Sequence, residues 1–220
     1  MTLRHRIDIG VGIVLVVLAF ARGASAAPPQ VAGCAGCHGV TGMGNPASGF
    51  PALAGLPASY IEQQLFAFKH GSRVNAIMKG VAQPLNAPQR AAIGRYYAAM
   101  MPPSQPEPSP LPGGEGATLA TDGAWMDTTK GVPAYDSCHG PFGLGVGTAF
   151  PRLAGQPASY LAAQLDAWRQ GIRNNDPLHL MRNVARQLTP AQITAVAAYY
   201  ASLSANPPVL PEPGTASGEK

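Results

Sequence analysis

Two kinds of apolar pattern occur along the chain. Residues 9–21 (IGVGIVLVVLAFA) are continuously apolar, whereas after residue 26 apolar positions recur three or four apart in short segments. The clearest segment follows Pro57, where Tyr60, Ile61, Leu65 and Phe68 share one side before Gly71. Its twin follows Pro157, with Tyr160, Leu161, Leu165 and Trp168 before Gly171. Proline suits the first position of a helix and glycine its end, so each segment predicts one helix. A second helix is predicted in each half, from Ile93, Tyr96, Tyr97 and Met100 and from Ile193, Val196, Ala197 and Tyr200. Thr189, Pro190 and Gln192 form a capping box for the latter, and Asn86 with Gln89 is the weaker counterpart. No alternating strand pattern of useful length competes, and the predicted class is all-α.

These segments are copies of each other. Residues 50–75 (FPALAGLPASYIEQQLFAFKHGSRVN) and 150–175 (FPRLAGQPASYLAAQLDAWRQGIRNN) share 15 identities in 26 positions at a constant offset of 100. Upstream, Val31, Cys37, His38 and Gly39 match Val132, Cys138, His139 and Gly140 at an offset of 101. Downstream, after a three-residue insertion, Met78, Val81, Ala82, Leu85, Gln89, Tyr96 and Tyr97 match Met181, Val184, Ala185, Leu188, Gln192, Tyr199 and Tyr200. The chain thus divides into residues 1–26, a first domain over 27–101, a Pro/Gly-rich linker over 102–116, a second domain over 117–206 and a tail over 207–220. Prolines favour an extended, semi-rigid spacer between two domains that still touch.

The leading apolar run reads as an export signal. Arg4 and Arg6 precede it, and Ala24-Ser25-Ala26 supplies the small residues of a cleavage site after Ala26. The competing reading is a retained membrane anchor, but 13 residues span only about 20 Å of a roughly 30 Å hydrocarbon core. Cleavage implies a periplasmic protein without stable membrane insertion. The formal charge of +4 falls with the signal, which carries three Arg and one Asp, leaving 12 basic and 10 acidic residues. No basic stripe with interleaved aromatics remains, which argues against nucleic acid as a partner. With 46% hydrophobic and only 12% charged residues the chain folds, and with 26 Gly and 23 Pro it folds in short elements.

Domains of this size with two or three short helices bury little surface by themselves, so something apolar is expected inside them. Cys34-Ala35-Gly36-Cys37-His38 names it: C-x-x-C-H is the signature of covalent haem attachment. Two thiols three residues apart on one helical turn reach two vinyl groups while the adjacent imidazole meets the iron. Zinc would need a second Cys/His pair nearby, and a redox C-x-x-C lacks its βαβ context here. Met78, 40 residues after His38 and in the loop between the two apolar helices, is the candidate for the other axial position; Met181 stands 42 residues after His139. His/Met ligation raises a haem's potential and leaves no open coordination site. His70, at a predicted helix end beside Lys69, reads as a solvated polar residue.

Taken together, C-x-x-C-H, complete in the first half and reduced to its Cys-His end in the second, with P-x-L-A-G-x-x-x-x-Y-x-x-x-Q-L, the Met loop and a last helix with Tyr-Tyr, each occurring twice, resemble the dihaem class I c-type cytochromes of the cytochrome c4 type. The resemblance implies two tandem cytochrome c-like domains with two His/Met haems. It also implies electron transfer in the periplasm between dehydrogenases or a quinol-oxidising complex and terminal oxidases or reductases. The matching residues are Cys34, Cys37, His38 and Met78 for the first haem c, and Cys138, His139 and Met181 for the second.

The second motif departs from the pattern: Tyr135 stands where its first cysteine belongs, which accounts for the odd count of three cysteines. Three outcomes follow: a haem held by Cys138 alone, a haem held without covalent attachment, or an empty domain. The retained repeat favours the first, since an emptied pocket leaves a cavity costing roughly 24 cal/mol per Å³. His179, two residues before Met181, is an alternative axial ligand or an exposed neighbour of the haem edge. Trp125 and Met126 fall in an insertion and either cover the haem or pack locally. An electron carrier rather than an enzyme is the main reading. The alternatives are a haem subunit of a larger oxidoreductase and a haem enzyme or small-molecule binder using an open second site.

Overall fold

The computed structural model describes residues 27–104, 106, 108, 110–125 and 131–205. The export signal, Met126 and the 207–220 tail lie outside the described residues, and so does the side chain of Trp125. The first half contains α1 (Val31–His38), α2 (Ala58–His70), α3 (Ala76–Ala82) and α4 (Ala87–Ala98). The second contains α5 (Glu115–Thr121), β1 (Ala124–Trp125), β2 (Gly131–Val132), α6 (Asp136–His139), α7 (Ala158–Arg169), α8 (Leu180–Gln187) and α9 (Pro190–Ser202). The β1–β2 pair is antiparallel, two residues a side, and the fold is otherwise helical.

Local chemistry sets most of these boundaries. Both capping boxes form: Asn86 and Gln89 exchange side-chain and backbone bonds at the start of α4, and Thr189 and Gln192 do so at α9. Asn86 is therefore a full cap and no weaker than its twin. Pro57 and Pro157 sit one residue earlier than predicted, as extended N-caps with ψ near 135°. Gly71 ends α2 in the left-handed region at φ 84°, its N–H donating to the Ala67 carbonyl at 2.9 Å.

Four elements differ from the sequence reading. Met78 lies within α3 and Met181 within α8, not in loops: Asn75 caps α3, and the first turn of α8 is bonded instead through the Arg182 N–H to Asp176. The linker is shorter than 102–116, since Glu115 already begins α5. That helix has no counterpart among the described residues of the first half and packs on α9, with Gly116 so close that a Cβ there would lie 2.3 Å from the Ala195 carbonyl oxygen. The β1–β2 pair was not anticipated, being too short to leave an alternating pattern.

Each half has its own core. Ile61, Leu65, Phe68, Ile93 and Tyr97 centre the first, and Leu161, Leu165, Trp168, Val196 and Tyr200 the second. The halves meet through the segments after α2 and α7, which run antiparallel: Val74 N–H donates to Ile172 O at 3.1 Å and Asn174 N–H to Ser72 O at 2.8 Å. A second contact is asymmetric. Gln156 donates to Ala52 O at 2.9 Å and accepts from Ala52 N–H at 3.0 Å, while Arg152 donates to Ala54 O at 3.0 Å. Their first-half equivalents are Leu56 and Ala52, which offer no such groups.

Ala52 is fully buried, so its amide and carbonyl depend on that one glutamine. Gln156→Leu, which installs the first-half residue, should destabilise the protein by roughly 2–4 kcal/mol, as two buried polar groups lose their partner. Denaturant unfolding should show the midpoint falling at unchanged slope.

Candidate functional site

Both halves build the same site from the same three elements. In the first, α1 carries Cys34 and Cys37 one turn apart and ends on His38, followed by Gly39 at φ 78°. The cysteines are free and half-buried. His38 is buried, and its Nδ1–H donates to the Pro51 carbonyl at 2.8 Å. That bond fixes the tautomer and leaves Nε2 as a lone-pair donor. Burial holds the imidazole below the usual histidine range, the carbonyl bond only partly opposing it, so the ring is neutral as a metal requires. His139, which ends α6, repeats the arrangement with Pro151 at 2.8 Å. Its pKa is lowered by burial, and its Nε2 is buried without a hydrogen-bond partner.

These groups open into two largely apolar cavities. The first, about 500 Å³, is lined by Cys34, Cys37, His38 and, from α3, Met78. The second, about 250 Å³, is lined by Tyr135, Cys138, His139 and, from α8, Met181. It is tighter, with Tyr135 and Trp168 on its walls where the first has Cys34 and Phe68. Each cavity thus brings together the predicted cysteine, histidine and methionine side chains. His179 is exposed at a left-handed position and bonds to Arg182, and it does not line the second cavity.

Tyr135 is built into its half. It is buried, its ring stacks near His139 at 6.5 Å, and its hydroxyl has no partner. The next residue changes with it: Asp136 replaces Ala35 and accepts a hydrogen bond from Tyr200 at 2.8 Å and from Phe142 N–H at 3.2 Å. In the first half the equivalent hydroxyl, on Tyr97, is buried beside Cys34. Tyrosine at 135 fills the space that the Tyr97 equivalent would face, and Asp136 supplies the displaced hydroxyl with a new acceptor.

Between the cavities lie two buried arginines that sequence reasoning passed over. Arg73 donates to Gln64 at 3.1 Å in its own half, and across the interface to Tyr160 at 2.9 Å and Gln164 at 2.6 Å. Arg173 does the reverse, donating to Gln164 at 3.1 Å, Tyr60 at 3.2 Å and Gln64 at 3.0 Å. Arg73 stacks over Phe68 and Arg173 over Trp168. Burial, and then the neighbouring Arg73, push the Arg173 guanidinium below its ordinary range. Among the described residues neither forms an ion pair with a carboxylate. All six residues belong to the 15 repeat identities, which was the signal available for them.

The donor set fits an iron porphyrin. A neutral imidazole nitrogen, a thioether and apolar walls suit its iron and ring. Two buried cations without carboxylate partners, one on the first cavity wall and one shared by both, suit its propionates.

Comparison with known proteins agrees. The cytochrome c family model matches residues 22–105 and 130–204. A thiosulfate dehydrogenase electron acceptor from Thiomonas intermedia is 48% identical over 185 residues, covering 83% of this chain and 84% of that protein. Cytochrome c4 from Pseudomonas aeruginosa is 36% identical over 193 residues, covering 86% and 93%. Among solved structures, reduced cytochrome c4 from Pseudomonas stutzeri superposes with a TM-score of 0.70 at 34% identity, covering 79% of this chain and 95% of that one. A thiosulfate dehydrogenase from Marichromatium purpuratum gives 0.71 at 42% identity over 78% of this chain, which spans only 36% of that longer chain. The chain belongs to the cytochrome c family, as a dihaem electron carrier of the cytochrome c4 type with one altered attachment motif.

Proposed function

We propose that this protein is an exported electron acceptor that takes electrons from a thiosulfate-oxidising dehydrogenase. It passes them to another redox protein, such as a terminal oxidase or reductase. The observation that carries the reading is the pair of cofactor cavities set back to back across one buried arginine layer, each with an imidazole and a thioether on its wall. The name of the Thiomonas relative supports the donor. Export through a signal cleaved after Ala26 places it in the periplasm. Haem c iron supplies reversible one-electron transfer.

The chain's residues have distinct tasks. Cys34 and Cys37 form two thioethers in the first site, and Cys138 forms the single thioether of the second. His38 and His139 would each offer Nε2 to the iron, kept neutral by burial and oriented by the Pro51 and Pro151 carbonyls. Met78 and Met181, on the walls of the same cavities, would supply a thioether to each iron, an arrangement that suits electron transfer rather than binding of a substrate. Arg73 and Arg173 bind the propionates and hold positive charge beside both sites, favouring the reduced state. Because each arginine bonds to a tyrosine and a glutamine of the other half, the two sites are kept at fixed separation. A second reading, a haem subunit of a larger oxidoreductase, is favoured by the match to the longer dehydrogenase chain.

Three outcomes follow. The purified protein mixed with a thiosulfate dehydrogenase and thiosulfate should be reduced to the extent of two electrons per chain; no reduction would overturn the proposed donor, and co-purification with the dehydrogenase would favour the subunit reading. Intact mass under denaturing conditions should show two haems per chain, with Cys138→Ala reducing this to one. Arg173→Gln should lower the reduction potential of at least one haem by roughly 60 mV, the one-electron equivalent of a tenfold change in equilibrium constant, seen by redox titration.

A further inference from the structure

The two methionine-bearing helices are secured in different ways. In the first half Asn75 is extended, and its Oδ1 accepts the N–H of Met78 itself at 2.9 Å. The matching Asn175 is not available for this, because its side chain is committed at the interface: Nδ2 donates to Gln64 at 2.9 Å and Oδ1 accepts from Arg173 at 3.2 Å. Immediately after it comes the three-residue insertion Asp176-Pro177-Leu178, absent from the first half.

That insertion contains its own fastening. Asp176 is buried, and one carboxylate oxygen accepts the Arg182 N–H at 2.9 Å while the other accepts its Nε–H at 2.9 Å. The side chain of Asp176 is 3% exposed and that of Arg182 19%, so this is a shielded, charge-assisted pair rather than a surface one. It closes a loop in which Leu178 and His179 both adopt left-handed backbone, at φ 55° and 60°. Such a conformation is unfavourable for both residues and persists only where the surroundings impose it. Arg182 also bonds to the His179 imidazole. Met181 is the residue immediately before the one so clamped.

We propose that Asp176 and Arg182 are the positioning pair that holds Met181 against the second cofactor, replacing the asparagine cap that the interface has taken. The inference rests on the reading of Met181 as an axial ligand. The loop strain and the clamp oppose each other, so releasing the clamp lets the turn relax and withdraws the thioether, while the first site keeps its own cap.

The test uses the haem-loaded protein. In Asp176→Ala the methionine-to-ferric-haem charge-transfer band should fall by about half, to the intensity of one His/Met site, and one of the two reduced haems should become reactive to carbon monoxide. Arg182→Met and Asp176→Asn, which each keep part of the clamp, should show the same changes to a smaller extent. They decide the matter should Asp176→Ala fail to take up its second haem. Met181→Ala is the reference for a fully opened site. If it opens the site while all three clamp variants keep the full band and remain inert to carbon monoxide, the positioning role is overturned. If Met181→Ala itself changes neither signal, Met181 is not the ligand, and the proposal falls with that reading.

Discussion

Two like charges buried side by side are what the arrangement has to accommodate. Arg73 and Arg173 are each about 6% exposed, and removing a guanidinium from water costs several kcal/mol that hydrogen bonds to neutral groups only partly recover. The amides of Gln64 and Gln164, the hydroxyls of Tyr60 and Tyr160 and the rings of Phe68 and Trp168 supply that partial recovery. Carboxylate arms of the proposed cofactor would complete it, since both arginines line the first cavity and Arg173 also lines the second. The proposed propionate contacts would tie cofactor loading to docking of the halves, since each arginine already bonds across the interface. The crossed pattern accompanies the antiparallel meeting of the segments after α2 and α7, which brings each arginine to the opposite tyrosine.

The second half shows how a damaged motif can remain a well-packed structure. Replacement of a cysteine by tyrosine adds a large ring to a tight wall, and the hydroxyl of Tyr200 would then have lost its place. Asp136 receives it. A change that had merely accumulated in an unused domain would not be expected to bring its own hydrogen-bond acceptor. Retention of the buried His139, its Pro151 carbonyl and the apolar core points the same way.

Local signals were legible in the sequence. Capping boxes at Asn86 and Thr189, the glycine stop at Gly71 and the Cys-His spacing each act within a few residues, and the repeat confirmed them by occurring twice. Met78 and Met181 line the same cavities as His38 and His139 but stand on helices rather than in the expected loops, because a seven- or eight-residue helix carries too few apolar positions to register a period. The arginine layer was invisible for another reason. Arg73 and Arg173 were seen as repeat identities, yet an identity says nothing of whether a polar residue faces water or another domain. The clamp of Asp176 on Arg182 spans the three-residue insertion in the second copy, so comparison of the halves marks its place without revealing its role.

Gln156 and Arg152 carry a consequence beyond stability. They reach from the second half into the backbone of the first, and Leu56 and Ala52 cannot return the gesture. Two first halves placed together would have the arginine layer but lack these pins, and two second halves would bring Gln156 to Arg152 where it now meets the small Ala52. Although the halves repeat one sequence, at this contact they are non-interchangeable parts, each shaped to meet the other rather than a copy of itself.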